Sequence, residues 1–162
     1  MNNKELILEV KKKKVDFSYK KPSCVLLSKI KQKREFSQLP DSVVERAIGV
    51  AGEDVKDVRA LLRKYFGVFL TNKVLKGNGV EILKSHKSSM HRDYEKFYDK
   101  IFSAVGNANS VVDLGCGVNS FSYELIPRGV SYIGIEAVGQ LVNSANRYFK
   151  DRGFESAHVL HK

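Results

Sequence analysis

One segment limits the possible folds more than any other: a glycine-rich turn that directly follows a short β-branched run. The run VVDL at 111–114 has the composition of a buried strand, and GCGVNS at 115–120 supplies the turn. A second apolar run at 131–135 ends in an acidic residue, Glu136. Glycines in such a turn let the backbone approach a nucleotide-type ligand, and an acid after the next strand can hold ribose hydroxyls. The segment therefore predicts a cofactor-binding turn in a parallel α/β sheet.

Two kinds of cofactor suit this plan, and the residues beside the turn favour one of them. A dinucleotide-binding turn has a third glycine where this chain has Ser120. Asp113, two residues before the first glycine, would repel a pyrophosphate but attract the ammonium and sulfonium groups of S-adenosylmethionine. Glu136 follows Asp113 by 23 residues, near the spacing of about 20 that places an acid at the ribose. The pattern favours S-adenosylmethionine over NAD, with the cofactor-binding candidates Asp113, Gly115, Gly117, Asn119 and Glu136.

The apolar periodicity predicts an α/β fold in which a helical N-terminal domain precedes the first βαβα(β) portion of a Rossmann-like sheet. Ser42 and Glu45 have capping-box spacing after Pro40, which predicts that a helix begins there. Further helices are predicted at about 54–70, 80–85, 89–105 and 138–151, and a third strand at 157–160. The predicted units are a basic arm at 1–34, a helical domain at 35–108 that includes the linking helix 89–105, and a partial cofactor-binding domain at 109–162.

The positive charge is confined to the first two-thirds of the chain. Of the 162 residues, 28 are Lys or Arg and 18 are Asp or Glu, and the whole net charge of +10 lies within residues 1–110. Such an excess favours a polyanionic partner, with nucleic acid the first candidate and an anionic membrane the second. Pro22 and Ser23 are expected to interrupt any helix in the basic arm. The candidates for RNA contact are Lys11, Lys12, Lys13, Lys14, Arg59, Arg63 and Lys64, with a solvated surface as the alternative for those in the predicted helix 54–70.

Other classes of protein are disfavoured by what the sequence lacks. No apolar run approaches the ~20 residues of a membrane span, and the N-terminus has no apolar signal segment. The two cysteines, Cys24 and Cys116, form neither a disulfide framework nor a metal-binding motif. We therefore expect a soluble cytoplasmic protein that has no membrane or metal partner.

Several segments resemble one family. DLGCG at 113–117 resembles motif I of the class I S-adenosylmethionine-dependent methyltransferases. The extension GVNS at 117–120 is similar to the G-(F/L)-N-P form of the aminoglycoside-resistance 16S rRNA methyltransferases of the Arm/Rmt type, which methylate a guanine N7. Upstream, HKSSMHR at 86–92 resembles that family's H-x-S-(S/T)-x-E-R segment, and FYDKIF at 97–102 resembles its (F/L)-Y-x-x-(I/V)-F segment. Ser120 in place of proline and His91 in place of glutamate depart from the pattern and leave the methylated nucleotide open.

The resemblance implies a cofactor, a partner and several residue roles. Arg92 matches the family arginine that reaches the carboxylate of S-adenosylmethionine. Asp113 and the backbone at 115–117 would meet the methionine end, and Glu136 the ribose. The partner would be ribosomal RNA or the small ribosomal subunit. No catalytic residue is assigned, because guanine N7 has a free lone pair and no proton to remove. Ser88 and Ser89 are expected instead to cap the helix that starts there.

The resemblance also implies a sheet with more strands than this chain supplies. The strand at 111–114 would then be central, whereas here it would have a free edge that could promote self-association. We therefore interpret the chain as part of a longer enzyme and leave open whether these 162 residues are active alone. Two alternatives remain: a non-catalytic RNA-binding protein with a vestigial cofactor fold, and a methyltransferase that acts on tRNA or another acceptor.

Overall fold

The computed structural model describes residues 22–77 and 79–162, so the RNA-contact candidates Lys11, Lys12, Lys13 and Lys14 lie outside the described residues. A helical region comes first and an α/β unit follows, as the sequence predicts. The helices are α1 (Cys24–Lys31), α2 (Asp41–Ala51), α3 (Val55–Phe66), α4 (Asn72–Lys76), α5 (Val80–Ser85), α6 (Tyr94–Val105) and α7 (Gly139–Asp151). The strands are β1 (Ser110–Leu114), β2 (Ser131–Glu136) and β3 (Ala157–His161). Two 3₁₀ helices, Gly67–Phe69 and Gly117–Leu125, follow α3 and β1 respectively.

Helix α1 begins where we expected an interruption. The Ser23 hydroxyl accepts a hydrogen bond from a backbone amide of the first turn at 3.2 Å, which satisfies one of the free donors at a helix start. Leu27 and Ile30 of this helix are buried in the core. The last part of the predicted basic arm is therefore helical and packed, and not a tail.

The bounds of α2 and α3 also differ from the predictions. The capping box of Ser42 and Glu45 does not define the start of α2, because Pro40 occupies the N-cap and Ser42 lies inside the helix. Helix α3 ends at Phe66 and the chain continues as the short 3₁₀ helix Gly67–Phe69. The predicted single helix at 54–70 is therefore two elements.

The linking helix α6 starts five residues later than predicted, at Tyr94. Asp93 supplies its cap, because the carboxylate accepts a hydrogen bond from the Lys96 amide at 3.1 Å. Ser89, which we expected to cap the helix, is buried, and its hydroxyl donates to the Leu83 carbonyl at 2.7 Å. Residues 86–92 thus form a turn, and Arg92, its last residue, lies just before α6.

The three strands form a parallel sheet in the order β1–β2–β3. The long 3₁₀ helix connects β1 to β2, and α7 connects β2 to β3, so both connections pack on one face of the sheet. Tyr132 and Val159 point into that face and are buried. Leu114 pairs with Ile135 in register. The carboxyl ends of β1 and β2 therefore lie side by side, with the glycine turn and Glu136 at the same edge.

The opposite face of the sheet is open in the part of the chain that the structure describes. Four of its apolar side chains are exposed: Val112 at 60%, Leu114 at 75%, Ile133 at 42% and Leu160 at 39%. Among the described strands β1 pairs only with β2, so its other edge is free. Parallel sheets are usually covered on both faces, so an uncovered face with exposed apolar side chains is unusual.

The helical region is fastened to the α/β unit at the start of α7. The Gly139 amide donates to the Gln38 carbonyl at 3.3 Å, and the Gln140 side-chain amide donates to the Arg34 carbonyl at 3.0 Å. Asn143 adds a bond from its side-chain amide to Gln38 Oε1 at 3.2 Å. The turn at 34–38 thus packs directly on the helix that follows Glu136.

Candidate cofactor-binding site

The glycine turn has the backbone conformation that its sequence predicts. Gly115 and Gly117 both adopt positive φ, at 70° and 50°. Residues with a Cβ rarely occupy this backbone region. The amides of Gly115 and Cys116 donate to the Ile135 carbonyl at 2.8 and 3.1 Å. A Cβ at Gly115 would meet nothing within 4 Å. The turn is therefore held against the end of β2 while its first glycine remains open to an approaching ligand.

Glu136 holds the turn from the opposite side. Its carboxylate is buried, with Oε2 accepting from the Gly117 amide at 2.9 Å and Oε1 from the Val138 amide at 2.8 Å. Each carboxylate oxygen has a second lone pair, so these bonds leave capacity for ribose hydroxyls. The predicted ribose acid thus also shapes the turn that would face the ribose.

Asn119 joins the acid of motif I to the arginine predicted upstream. Its Nδ2 donates to Asp113 Oδ2 at 2.7 Å, and its Oδ1 accepts from Arg92 Nη1 at 3.2 Å. The Tyr132 hydroxyl also donates to Asp113 Oδ2, at 3.0 Å. Arg92 and Asp113, the residues expected at the carboxylate and the ammonium of the methionine, are therefore linked through the side-chain amide of Asn119.

The linking helix α6 supports this arrangement with aromatic side chains. The Arg92 guanidinium lies over the rings of Tyr94 and Phe97, 5.3 and 5.0 Å from their centres, a cation–π arrangement that orders a side chain otherwise free in solvent. The Tyr98 hydroxyl lies 2.6 Å from Ser122 Oγ. The Ser122 hydroxyl in turn donates to the Asn119 carbonyl at 2.6 Å. Helix α6 therefore contacts the turn directly.

Burial keeps the polar groups around Asp113 in their protonated forms. It raises the pKa of Tyr132 far above the ordinary value, and nearby Cys116 and Asp113 raise it further. Burial also raises the pKa of Tyr98, although its bond to Ser122 opposes the shift. The pKa of the Cys116 thiol rises to about 12, again mainly through burial. Tyr132 therefore stays protonated at neutral pH and can donate a hydrogen bond, and Cys116 is a thiol and not a thiolate nucleophile.

The structure brings the six cofactor-binding candidates together around one turn: Arg92, Asp113, Gly115, Gly117, Asn119 and Glu136. Ser120, which departs from the resembled motif, is fully buried and donates to the Gly117 carbonyl at 3.2 Å. Its hydroxyl therefore stabilises the turn.

The RNA-contact candidates on α3 are placed differently from one another. Arg59 donates to the Lys29 carbonyl at the end of α1. Arg63 pairs with Glu35, with Nε 2.9 Å from Oε1, and its guanidinium lies 5.5 Å from the centre of the Phe36 ring. Lys64 is exposed. Arg59 and Arg63 therefore both make contacts within the helical region. A phosphate contact by either residue would use the guanidinium N–H groups that these bonds leave free.

Two parts of the site were not predicted. Tyr132 shares a strand face with Glu136 by the alternation of β2, so the sequence carried a signal for it. Phe69 lies against the glycine turn, and a Cβ on Gly117 would be only 3.2 Å from its ring. No local pattern relates two residues so far apart in sequence.

Within the described residues, no group of three or more His, Cys, Asp or Glu side chains is arranged to hold a metal ion. The helices at 22–77 and 79–162 are all too short or too polar to cross a membrane.

The helical N-terminal region and the parallel sheet with its glycine turn define a chain with a methyltransferase-type α/β fold. The particular structures that it resembles are those of two rRNA methylases. The 16S rRNA methylase RmtB superposes with a TM-score of 0.70 at 23% identity, and an rRNA methylase from Escherichia coli with 0.65 at 20%. Each comparison covers 85% of this chain.

At this identity the likeness establishes the fold, and at that level it confirms the resemblance predicted from the motifs. The chain spans 63% of the length of each of these two structures. No protein-family model matches the sequence, and no curated protein sequence does.

Proposed function

We propose that this chain is an S-adenosylmethionine-dependent rRNA methyltransferase of the 16S guanine-N7 type. The observation that carries the proposal is the link from Arg92 through Asn119 to Asp113, at the mouth of the glycine turn. It places a cation and an anion at a fixed separation, as the carboxylate and ammonium of a methionine require. The fold shared with two rRNA methylases supports the same class of reaction.

The residues present fit this cofactor. The Arg92 guanidinium would hold the carboxylate, and Asp113 would accept from the ammonium through Oδ1, since its two bonds described above use Oδ2. Glu136 would accept from ribose hydroxyls with its remaining lone pairs. The open space at Gly115 leaves room for the ligand beside the backbone.

When bound, S-adenosylmethionine supplies a methyl group activated by its positively charged sulfur. The residues of the chain bind and orient, since guanine N7 already carries the attacking lone pair and no base is required. In such a reaction the rate enhancement comes mainly from holding donor and acceptor in line. The network that fixes Arg92, Asn119 and Asp113 before binding would serve that purpose.

The substrate side of the proposal depends on charge. Net charge +10 lies within residues 1–110, and neutralised phosphates give the main, salt-dependent part of RNA affinity. We therefore expect the helical region to dock on rRNA of the small ribosomal subunit in the cytoplasm. Methylation of this type would produce aminoglycoside resistance.

The cofactor part is tested by calorimetric titration with S-adenosylmethionine. We expect Arg92→Ala to weaken binding by about tenfold or more, because a hydrogen bond to a charged group contributes about 1.5–3 kcal/mol. Lys100→Ala is the matched control, since it removes an exposed cation from α6, the helix that follows Arg92. Equal affinity of the wild-type protein and Arg92→Ala would contradict the role of Arg92.

The acceptor part is tested by transfer of a radiolabelled methyl group to isolated 30S subunits, with tRNA as the control acceptor. Label in 16S rRNA at a guanine N7 is the expected result. Label in tRNA alone would favour a different acceptor. The assay uses the full-length gene product, in which cofactor binding without transfer to either acceptor would favour the non-catalytic RNA-binding alternative.

A further inference from the structure

Two stacked rings of the helical region lie behind the glycine turn. Phe69 and His86 are nearly parallel, at 17°, with their centres 5.0 Å apart, an offset stack of the kind that aromatic rings favour. Phe69 ends the short 3₁₀ helix after α3, and His86 follows α5 directly. Two separate elements therefore contribute one ring each to the same stack.

Phe69 lies close to Gly117 and leaves little room for a side chain there. A Cβ placed on Gly117 would lie 3.2, 3.7 and 3.9 Å from three atoms of the Phe69 ring, so the ring lies beside the turn. Gly117 also donates its amide to Glu136 at 2.9 Å. The residue thus has a ring of the helical region beside it and a hydrogen bond to the acid at the end of β2.

His86 is fixed in its place and not free to rotate. It is 5% exposed, and its Nδ1 lies 2.7 Å from Ser88 Oγ and 3.3 Å from the Ser88 amide. The Ser88 amide is a donor, so Nδ1 accepts and the imidazole carries its proton on Nε2. Among the described residues Nε2 makes no hydrogen bond of ordinary geometry, although the Val68 backbone lies near the ring. The ring also stacks on Phe69.

We propose that His86 is a positioning residue that, through Phe69, holds the Gly117 turn in the conformation that binds the cofactor. The inference rests on the proposed function for its ligand, but its structural part concerns the turn alone. The helical region would then shape the cofactor site as well as dock on RNA. Loss of the stack should free the turn, lower the affinity for S-adenosylmethionine and leave the rate of transfer at saturating cofactor nearly unchanged.

Three variants and one control test the proposal. His86→Ala removes the outer ring, His86→Phe keeps a ring and removes the imidazole nitrogens, and Phe69→Leu removes the ring that touches the turn. Phe154→Leu is the control: it removes a half-buried ring 5.1 Å from that of Tyr123, near the amino end of β3 and so at the opposite end of the sheet. Thermal unfolding identifies the variants that fold.

The first readout is hydrogen exchange of the amides at 115–117, which needs no ligand. We expect faster exchange in His86→Ala and Phe69→Leu, and wild-type exchange in His86→Phe and Phe154→Leu. The second readout is calorimetric affinity for S-adenosylmethionine, expected to fall about two- to tenfold in the first pair, since an aromatic pair contributes ~0.5–1.5 kcal/mol beyond burial.

The outcomes separate the two proposals. Unchanged exchange at 115–117 in a folded His86→Ala or Phe69→Leu protein would overturn the positioning role, whatever the ligand. Altered exchange in a protein that binds no S-adenosylmethionine, even as wild type, would overturn the proposed function and with it the cofactor part of the inference. A fall in the transfer rate at saturating cofactor, with unchanged affinity, would also contradict a positioning role.

Discussion

Asn119 is the residue on which the charged part of the site depends. It donates to Asp113 and accepts from Arg92 with the two ends of one amide, a combination that neither Asp nor Ala can reproduce. Its position in the motif marked it as a candidate, but the sequence did not indicate that its partner would be 27 residues away. The resemblance to family segments supplied Arg92, and only the folded chain shows the contact that joins the two.

We expect the effects of Asn119→Ala and Arg92→Ala on cofactor affinity to be strongly non-additive. Each single change breaks the same link, so the double variant should lose little more than either one. Residues in one hydrogen-bond network typically couple by about 0.5–3 kcal/mol. Calorimetric titration of the four proteins with S-adenosylmethionine measures the coupling. Additive losses would mean that the two side chains act independently.

His86 should make the stability of the fold depend on pH. Burial lowers the pKa of this imidazole, and the nearby Val68 backbone offsets only part of the shift. Below the ordinary value of about 6.5, the unfolded chain binds a proton that the folded chain does not. The free energy of unfolding therefore falls as the pH is lowered through this window, and this contribution is constant above it.

Urea unfolding of the wild type and His86→Phe, between about pH 7.5 and pH 5, checks this expectation. The wild type should lose stability relative to the variant only below about pH 6.5. A difference that does not change with pH would show that His86 is not the group responsible.

At the scale of elements, the two parts of the molecule approach each other closely at the start of α7. A Cβ on Gly139 would lie 2.9 Å from both the Cβ and the carbonyl oxygen of Gln38. The glycine is therefore required by a close approach between the 34–38 turn and the helix, and not by an unusual φ.

We expect Gly139→Ala to lower the free energy of unfolding by about 1–3 kcal/mol, because the turn has to move away from α7. Gly49→Ala is the matched control: Gly49 lies inside α2 with nothing within 4 Å of an added Cβ. That change should stabilise the protein by ~0.5–1 kcal/mol, the helix penalty of glycine. Chemical denaturation of both variants gives the comparison, and equal effects would contradict the packing argument.

The elements that could be predicted are those whose signal is local. The strands around the glycine turn and helix α7 follow from alternation and periodicity, and the structure has them at nearly the predicted bounds. Helix α1 differs from the prediction because Ser23 acts as its cap, whereas the Pro-Ser pair predicts a break. The predicted start of α6 is wrong because the cap is Asp93, four residues after the expected cap Ser89. The Ser89 hydroxyl instead donates to the Leu83 carbonyl, a contact that depends on how residues 83–89 fold together.

The position of Phe69 beside the turn and the stack of His86 on Phe69 could not be predicted at all. Both residues come from the helical region, and the approach of Phe69 to Gly117 depends on how that region packs on the sheet. Local sequence contains no measure of that packing. This part of the site is therefore a property of the tertiary structure.

At the scale of the whole molecule, the open sheet face predicts self-association. Val112 is exposed on the free edge strand, where an apolar surface and unpaired backbone groups occur together. We expect Val112→Lys to reduce association measured by sedimentation at rising protein concentration. Val50→Lys is the control, since it introduces the same charge at an apolar residue of α2 that is 73% exposed.

A wild-type protein that stays monomeric at every concentration would contradict the expectation. An equal effect of Val50→Lys would show that added charge, and not the sheet surface, keeps the molecules apart.

The bonds between the 34–38 turn and α7 would hold the molecule together if the backbone were cut. Residues 106–109 form a largely exposed connection between the helical region and β1. If a protease cut the chain there, the two pieces would still share the bonds at Gly139, Gln140 and Asn143, and the contact of Phe69 with Gly117. The nicked protein would therefore remain a non-covalent complex, and the cofactor turn would lose its shape only when the fragments dissociate.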